Sequence, residues 1–124
     1  MEADLPLNTL LFALRNIIAA AEGGSPLGAL PPEHRAILTF IAARIAEGAR
    51  PCLGDVANHG EFGVPVTASK RLRDLEAAGW IRIVQDPGNH RRRLIELTPK
   101  SLGAYNQVSR NVALSLPAVR QGGA

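Results

Sequence analysis

Aromatic side chains are scarce in this chain: three Phe, one Trp and one Tyr among 124 residues. A core with so few must come from Leu, Ile, Val and Ala, which favours helices with aliphatic stripes over a large sheet. Cysteine is rarer still. The single Cys52 excludes an intramolecular disulfide framework and a zinc site built of cysteines, and it suits a reducing compartment. Long apolar runs are missing as well. Arg15, Asn16 and Arg44 interrupt the greasiest stretches, so no membrane span is expected. Glu2 and Asp4 stand where a secretory leader carries positive charge, so no leader is expected and a soluble cytoplasmic protein is the default. The usual signs of enzyme chemistry are also lacking. There is no glycine-rich phosphate loop, no nucleophile elbow and no His-Glu metal helix, and the His and Glu residues show no paired spacing. No catalytic residue, metal or cofactor is therefore expected.

What the chain does have is charge in one place. The formal charge of +3 is modest, but residues 1–64 hold four basic and seven acidic side chains, and residues 65–93 hold seven basic and three acidic ones. A basic excess packed into under a quarter of the chain suits a polyanion. By charge alone, a merely solvated basic face is an even alternative.

The chain punctuates itself clearly. Asp4 and Pro6 mark a helix start, Leu7, Leu10, Leu11, Leu14, Ile17, Ile18 and Ala21 recur at helical spacing, and Gly23-Gly24 is a stop. A terminal helix this apolar either folds back on its own core or packs on a second subunit, and the second is preferred. Ser25 to Leu30 reads as a connector. Pro31-Pro32-Glu33 opens a second helix with Ile37, Leu38, Ile41 and Ile45 on one face, ended by Gly48. Arg50 to Leu53 reads as extended, Asp55 to His59 as a short third helix and Gly60 to Gly63 as a turn. Pro65 opens a fourth helix, and Gly79 closes it. Its inner face is Leu72, Leu75 and Ala78. Trp80 to Gln85 and Arg92 to Thr98 are β-type runs around the turn signal Asp86-Pro87-Gly88-Asn89, giving a hairpin with a long basic tip. Thr98-Pro99 caps and opens a last helix, expected to end near Leu116 ahead of Pro117. Gln121 to Ala124 are expected to be disordered.

Two short helices joined by a turn and followed by a basic hairpin define a winged helix-turn-helix, mainly α with a small β hairpin. Residues 1–124 are expected to form one such domain, with a DNA-binding core at 32–98 and dimerisation helices at 5–22 and 100–116. The fourth helix offers Thr67 and Ser69 near its N-terminus and Lys70, Arg71 and Arg73 behind them. Hydroxyls and helix N-termini hold phosphates, and Arg grips guanine in the major groove with two hydrogen bonds. The tip, Asn89, His90, Arg91, Arg92 and Arg93, suits the negative potential of a minor groove.

Residues from about Pro32 to Gly103 resemble the MarR (multiple antibiotic resistance regulator) family. The resemblance rests on the stretch Ser69-Lys70-Arg71-Leu72-Arg73-Asp74-Leu75-Glu76-Ala77-Ala78-Gly79-Trp80-Ile81. It continues in the wing, Asp86-Pro87-Gly88-Asn89-His90-Arg91-Arg92-Arg93, and in a strand closing Leu97-Thr98. The resemblance implies a dimeric repressor that binds double-stranded DNA and is released by a small-molecule effector. Its dimer helices would carry Leu7, Leu10, Leu11, Leu14, Ile17, Ile18, Tyr105, Val108 and Val112. Arg91 matches the wing arginine that enters the minor groove. Asn89 replaces a family Asp that braces the wing by an ion pair, and His90 replaces an Arg. The helix-turn-helix turn is longer than the family's, and the chain ends ahead of the family's last helix. The alternative function is a winged-helix adaptor that binds protein or serves replication or plasmid maintenance. Cys52 and Trp80 are read as packing residues, ahead of a redox sensor and a base-stacking platform. Tyr105 is read as packing ahead of a ligand pocket or dimer seam.

Overall fold

The computed structural model describes residues 7–120; the expected helix start at Asp4 and Pro6 and the expected disorder of Gln121 to Ala124 lie outside the described residues. The element order is α1 (Leu7–Gly23), a 3₁₀ turn (Pro26–Ala29), α2 (Pro32–Ala46), α3 (Leu53–Ala57), α4 (Pro65–Ala77), β1 (Ile81–Asp86), β2 (Asn89–Leu97) and α5 (Pro99–Arg120). This is a mainly helical chain with one antiparallel hairpin. It divides into two compact units, residues 30–102 and residues 1–29 with 103–124.

In the unit of residues 30–102, glycine sets the helix ends. Gly48 and Gly79 have φ of +90° and +83°, a left-handed conformation that side chains with a Cβ rarely adopt. At the end of α4 the Trp80 N–H donates to the Leu75 carbonyl at 2.9 Å and the Gly79 N–H to Glu76 at 3.0 Å, the paired bonds of a Schellman cap. The Ala49 N–H repeats the pattern on Arg44 at the end of α2. The helix expected from Asp55 begins two residues earlier, at Leu53. Asp55 is in its first turn, where a carboxylate oxygen accepts the Cys52 N–H at 3.0 Å and completes a capping box with the Cys52 side chain.

The core of this unit is aliphatic. Ile37, Leu38 and Ile41 of α2, Val56 of α3, Ala68, Leu72 and Leu75 of α4, and Ile81, Leu94 and Ile95 of the hairpin are all buried. The Arg50-to-Cys52 stretch is extended as expected: Cys52 bridges Leu94, and the Ile95 N–H donates to Pro51 at 2.9 Å. Trp80 is buried at the junction of α4 and α5. The Ser101 hydroxyl donates to its carbonyl and the Lys100 ammonium lies 4.3 Å from its ring centroid. Trp80 is thus a packing residue.

In the other unit, Leu27 of the 3₁₀ turn is fully buried, so the connector is anchored. The last helix does not stop before Pro117. It runs through that residue to Arg120, at the cost of the hydrogen bond a proline nitrogen cannot donate. None of the described helices is long and apolar enough to cross a membrane.

Candidate nucleic-acid interface

Helix α4 has two faces because its apolar residues recur at helical spacing. Ala68, Leu72 and Leu75 point into the core, which turns Val66, Ser69, Lys70 and Arg73 outward as an i, i+3, i+4, i+7 stripe. Lys70 and Arg73 are exposed, and Ser69 is half-buried. The N-terminus of α4 is open. Pro65 at the first position has no N–H to satisfy, and no side chain caps the first turn. The N-cap residue is Val64, at a place where Ser, Thr, Asn or Asp would stabilise the helix by about 0.5–2 kcal/mol.

The long turn before α4 is filled by an aromatic cluster that the sequence reading missed. The His59 ring lies 4.4 Å from Phe40 and 5.4 Å from Phe62, centroid to centroid, and His59 Nε2 meets the Glu61 carboxylate at 2.6 Å. Arg71 reaches back into this turn and donates to the Phe62 carbonyl at 3.3 Å. Its guanidinium therefore positions the turn. On the far side, His34 of α2 meets Asp74 of α4 at 3.0 Å, and Lys70 lies 3.6 Å from the same carboxylate. The His34 hydrogen bond, helped by Lys70, holds the Asp74 carboxyl below its ordinary range.

The hairpin turns through Pro87-Gly88 and pairs farther out than expected. Asp86 is opposite Asn89, yet Gln85 is already opposite Arg93. His90, Arg91 and Arg92 therefore form a bulge on β2. Three local contacts shape it. Asn89 Oδ1 accepts the Arg91 N–H at 3.1 Å, Asp86 Oδ1 accepts the Gly88 N–H at 2.9 Å, and the Gln85 amide donates to the His90 carbonyl at 3.0 Å. The brace that Asn89 cannot supply comes from Asp86, which lies 3.8 Å from Arg92.

The expected contact residues thus separate into two groups. Arg92 is half-buried and turned onto its own chain: it donates to the Arg50 carbonyl at 2.9 Å and lies 3.9 Å from Asp55. The Cys52 side chain, then Asp55 and Asp86, favour its charged form and raise its pKa. Arg82 pairs with Glu96 across the strands at 2.7 Å. Among the described residues, no acceptor of the chain meets the side chains of Arg73, Arg91 or Arg93, and all three are exposed. Thr67 is half-buried, with Gly63 beside its side chain, and His90 and Asn89 are exposed at the tip.

The residues expected at a dimer seam lie on α1 and α5. Leu10, Leu14 and Ile17 are half-buried, and Leu11 and Ile18 are exposed. Phe12, passed over in the sequence, is 58% exposed, and Leu114 of α5 is 80% exposed. Val108 is buried, and Tyr105 and Val112 are half-buried. The Leu7 side chain lies outside the described residues.

Helix, turn, helix and basic hairpin in this order make a winged helix-turn-helix of the MarR type. A transcriptional regulator from Thermotoga maritima shares the fold at a TM-score of 0.69, with 17% identity over 91% of this chain and 74% of that one. A mutant of E. coli MarR complexed with operator DNA matches at 0.58, with 15% identity over 90% and 74%. A mutant of S. aureus MepR matches at 0.61, with 19% identity over 94% and 85%. No protein-family model and no curated protein sequence matches the chain.

Proposed function

We propose that this protein binds double-stranded DNA as a homodimer and regulates transcription, as a repressor of the MarR type. The observation that carries the reading is which cations are left over. Arg71, Arg82 and Arg92 are engaged by the protein's own acceptors, whereas Arg73 on α4 and Arg91 and Arg93 in the wing are exposed and meet none within the same compact unit, and Lys70, though paired with Asp74, is exposed beside them. A helix with an open N-terminus and outward cations suits the major groove, and a basic bulge suits the neighbouring minor groove. Thr67, Ser69, Asn89 and His90 add hydrogen-bonding groups for phosphates. The operator complex of the E. coli MarR mutant, which has the same fold, supports DNA as the ligand. The structural neighbours that are named as regulators favour a regulator over an enzyme.

The second copy is proposed to cover Leu11, Phe12 and Ile18 of α1 with Leu114 of α5, large apolar groups that one chain leaves in water. A small-molecule effector has room in a cleft of about 280 Å³ lined by Ile45, Pro51, Leu94, Leu97 and Leu102, with Arg50 and Glu96 as its charged members. A ligand there touches Arg50, whose carbonyl holds Arg92 and so the wing. Selection of bound duplexes from a random pool tests the reading. A pseudo-palindrome with half-sites roughly one helical turn apart is expected, and recovery of no duplex refutes it.

A further inference from the structure

Two valines at the start of α4 have no evident structural employment. Val66 is 80% exposed and Val64 is 65% exposed, the first in the opening turn of the helix and the second at its N-cap. Neither position rewards valine. A β-branched side chain is a mediocre helix former, and an apolar N-cap leaves the first-turn amides uncapped. Val66 also begins the outward stripe that continues through Ser69, Lys70 and Arg73, so it belongs to the face assigned to the major groove. A major groove displays one apolar group, the 5-methyl of thymine.

We infer that Val66, with Val64 beside it, is a specificity-determining residue that reads thymine 5-methyl groups in the major groove. The inference rests on the DNA-binding reading above and adds to it the chemical class of the bases met by the first turn of α4. Lys70 and Arg73, farther along the stripe, then meet phosphates and guanine edges. An isopropyl group gains nothing from a hydrogen-bonding edge and excludes water when packed on a methyl, so a thymine is preferred over a cytosine there.

The test changes the DNA first. Duplexes are selected from a random pool and then resynthesised with deoxyuridine in place of thymidine, one position at a time, which removes only the methyl. At one or two positions of each half-site, binding should weaken about fourfold, the factor for one buried methyl-sized group. The same duplexes are titrated with V66A, whose fold is checked by its thermal melt. The loss on uracil substitution should shrink towards onefold in V66A, because the two changes remove the same contact. Equal binding of thymine and uracil duplexes by the wild-type chain overturns the inference and leaves DNA binding intact. So does an undiminished uracil effect in V66A. Failure of the wild-type chain to bind any duplex refutes the DNA-binding reading itself.

Discussion

The Arg92 guanidinium donates to the Arg50 carbonyl at 2.9 Å, across 42 residues of sequence, and ties the wing to the extended stretch that leads into α3. Asp55 and Asp86 flank the same guanidinium at 3.9 and 3.8 Å. Arg91, its neighbour in the bulge, reaches no acceptor of the chain among the described residues. Two adjacent arginines therefore carry different tasks, one internal and one outward.

Substitution separates them. Arg91→Ala should leave the thermal midpoint unchanged, weaken binding to all duplexes alike and reduce the salt slope by about one. Arg92→Ala should lower the midpoint and speed amide exchange in the wing. Thermal melts and salt titrations of the two variants check this; a lowered midpoint for Arg91→Ala, or an unaltered wing in Arg92→Ala, contradicts the division.

On α4, the inner and outer faces should differ in stability as they do in burial. Leu72→Ala empties a fully enclosed site and should cost about 2–5 kcal/mol. Val66→Ala should cost under about 0.5 kcal/mol, as surface changes do. Urea unfolding of both variants measures the contrast, and similar midpoints would show that α4 is not seated as described.

Asp55 should make stability depend on acid. Its hydrogen bond from the Cys52 backbone holds its carboxyl below the ordinary value, opposed by partial burial and aided by the Cys52 side chain, Arg92 and Arg44. A carboxyl with a lowered folded-state pKa stabilises the fold above its unfolded pKa and loses that contribution as pH falls through the folded value. The wild type should exceed Asp55→Asn in stability at pH 7, and the gap should narrow below about pH 4. Paired melts across pH 2–7 test this, and a constant gap excludes the mechanism.

The proposed dimer makes its own prediction. Sedimentation at micromolar concentration should give twice the chain mass, and Phe12→Glu with Ile18→Glu should shift the protein to monomer without unfolding residues 30–102. A wild-type monomer removes the dimer from the account.

Much of this was legible in the sequence. The stops at Gly48 and Gly79, the start at Pro65 and the turn at Pro87-Gly88 follow from backbone chemistry that a residue carries with it. The buried Ile37, Leu38 and Ile41 of α2 and Leu72 and Leu75 of α4 follow from spacing, whereas Ala78, expected on the inner face of α4, is exposed and Ala68 takes the inward place. What escaped was tertiary. No local pattern tells Arg92 from Arg91, because the difference is a carbonyl 42 residues away. The aromatic filling of the long turn by Phe40, His59 and Phe62 joins residues from two segments. The exposure of Val64 and Val66 was hidden because valine in a sequence reads as core. Pro117 reads as a helix end in the sequence, yet a helix tolerates one lost hydrogen bond near its terminus.

The exposed cations of α4 and the wing are proposed to bind duplex DNA. The most direct measurement is the affinity of the chain for a labelled random-sequence duplex as salt is raised from about 50 to 200 mM, for the wild type and for Arg91→Ala with Arg93→Ala. Log affinity should fall linearly with log salt, and the double variant should bind more weakly with a shallower slope. No binding at the lowest salt, or binding that neither salt nor the wing substitutions alter, would contradict it.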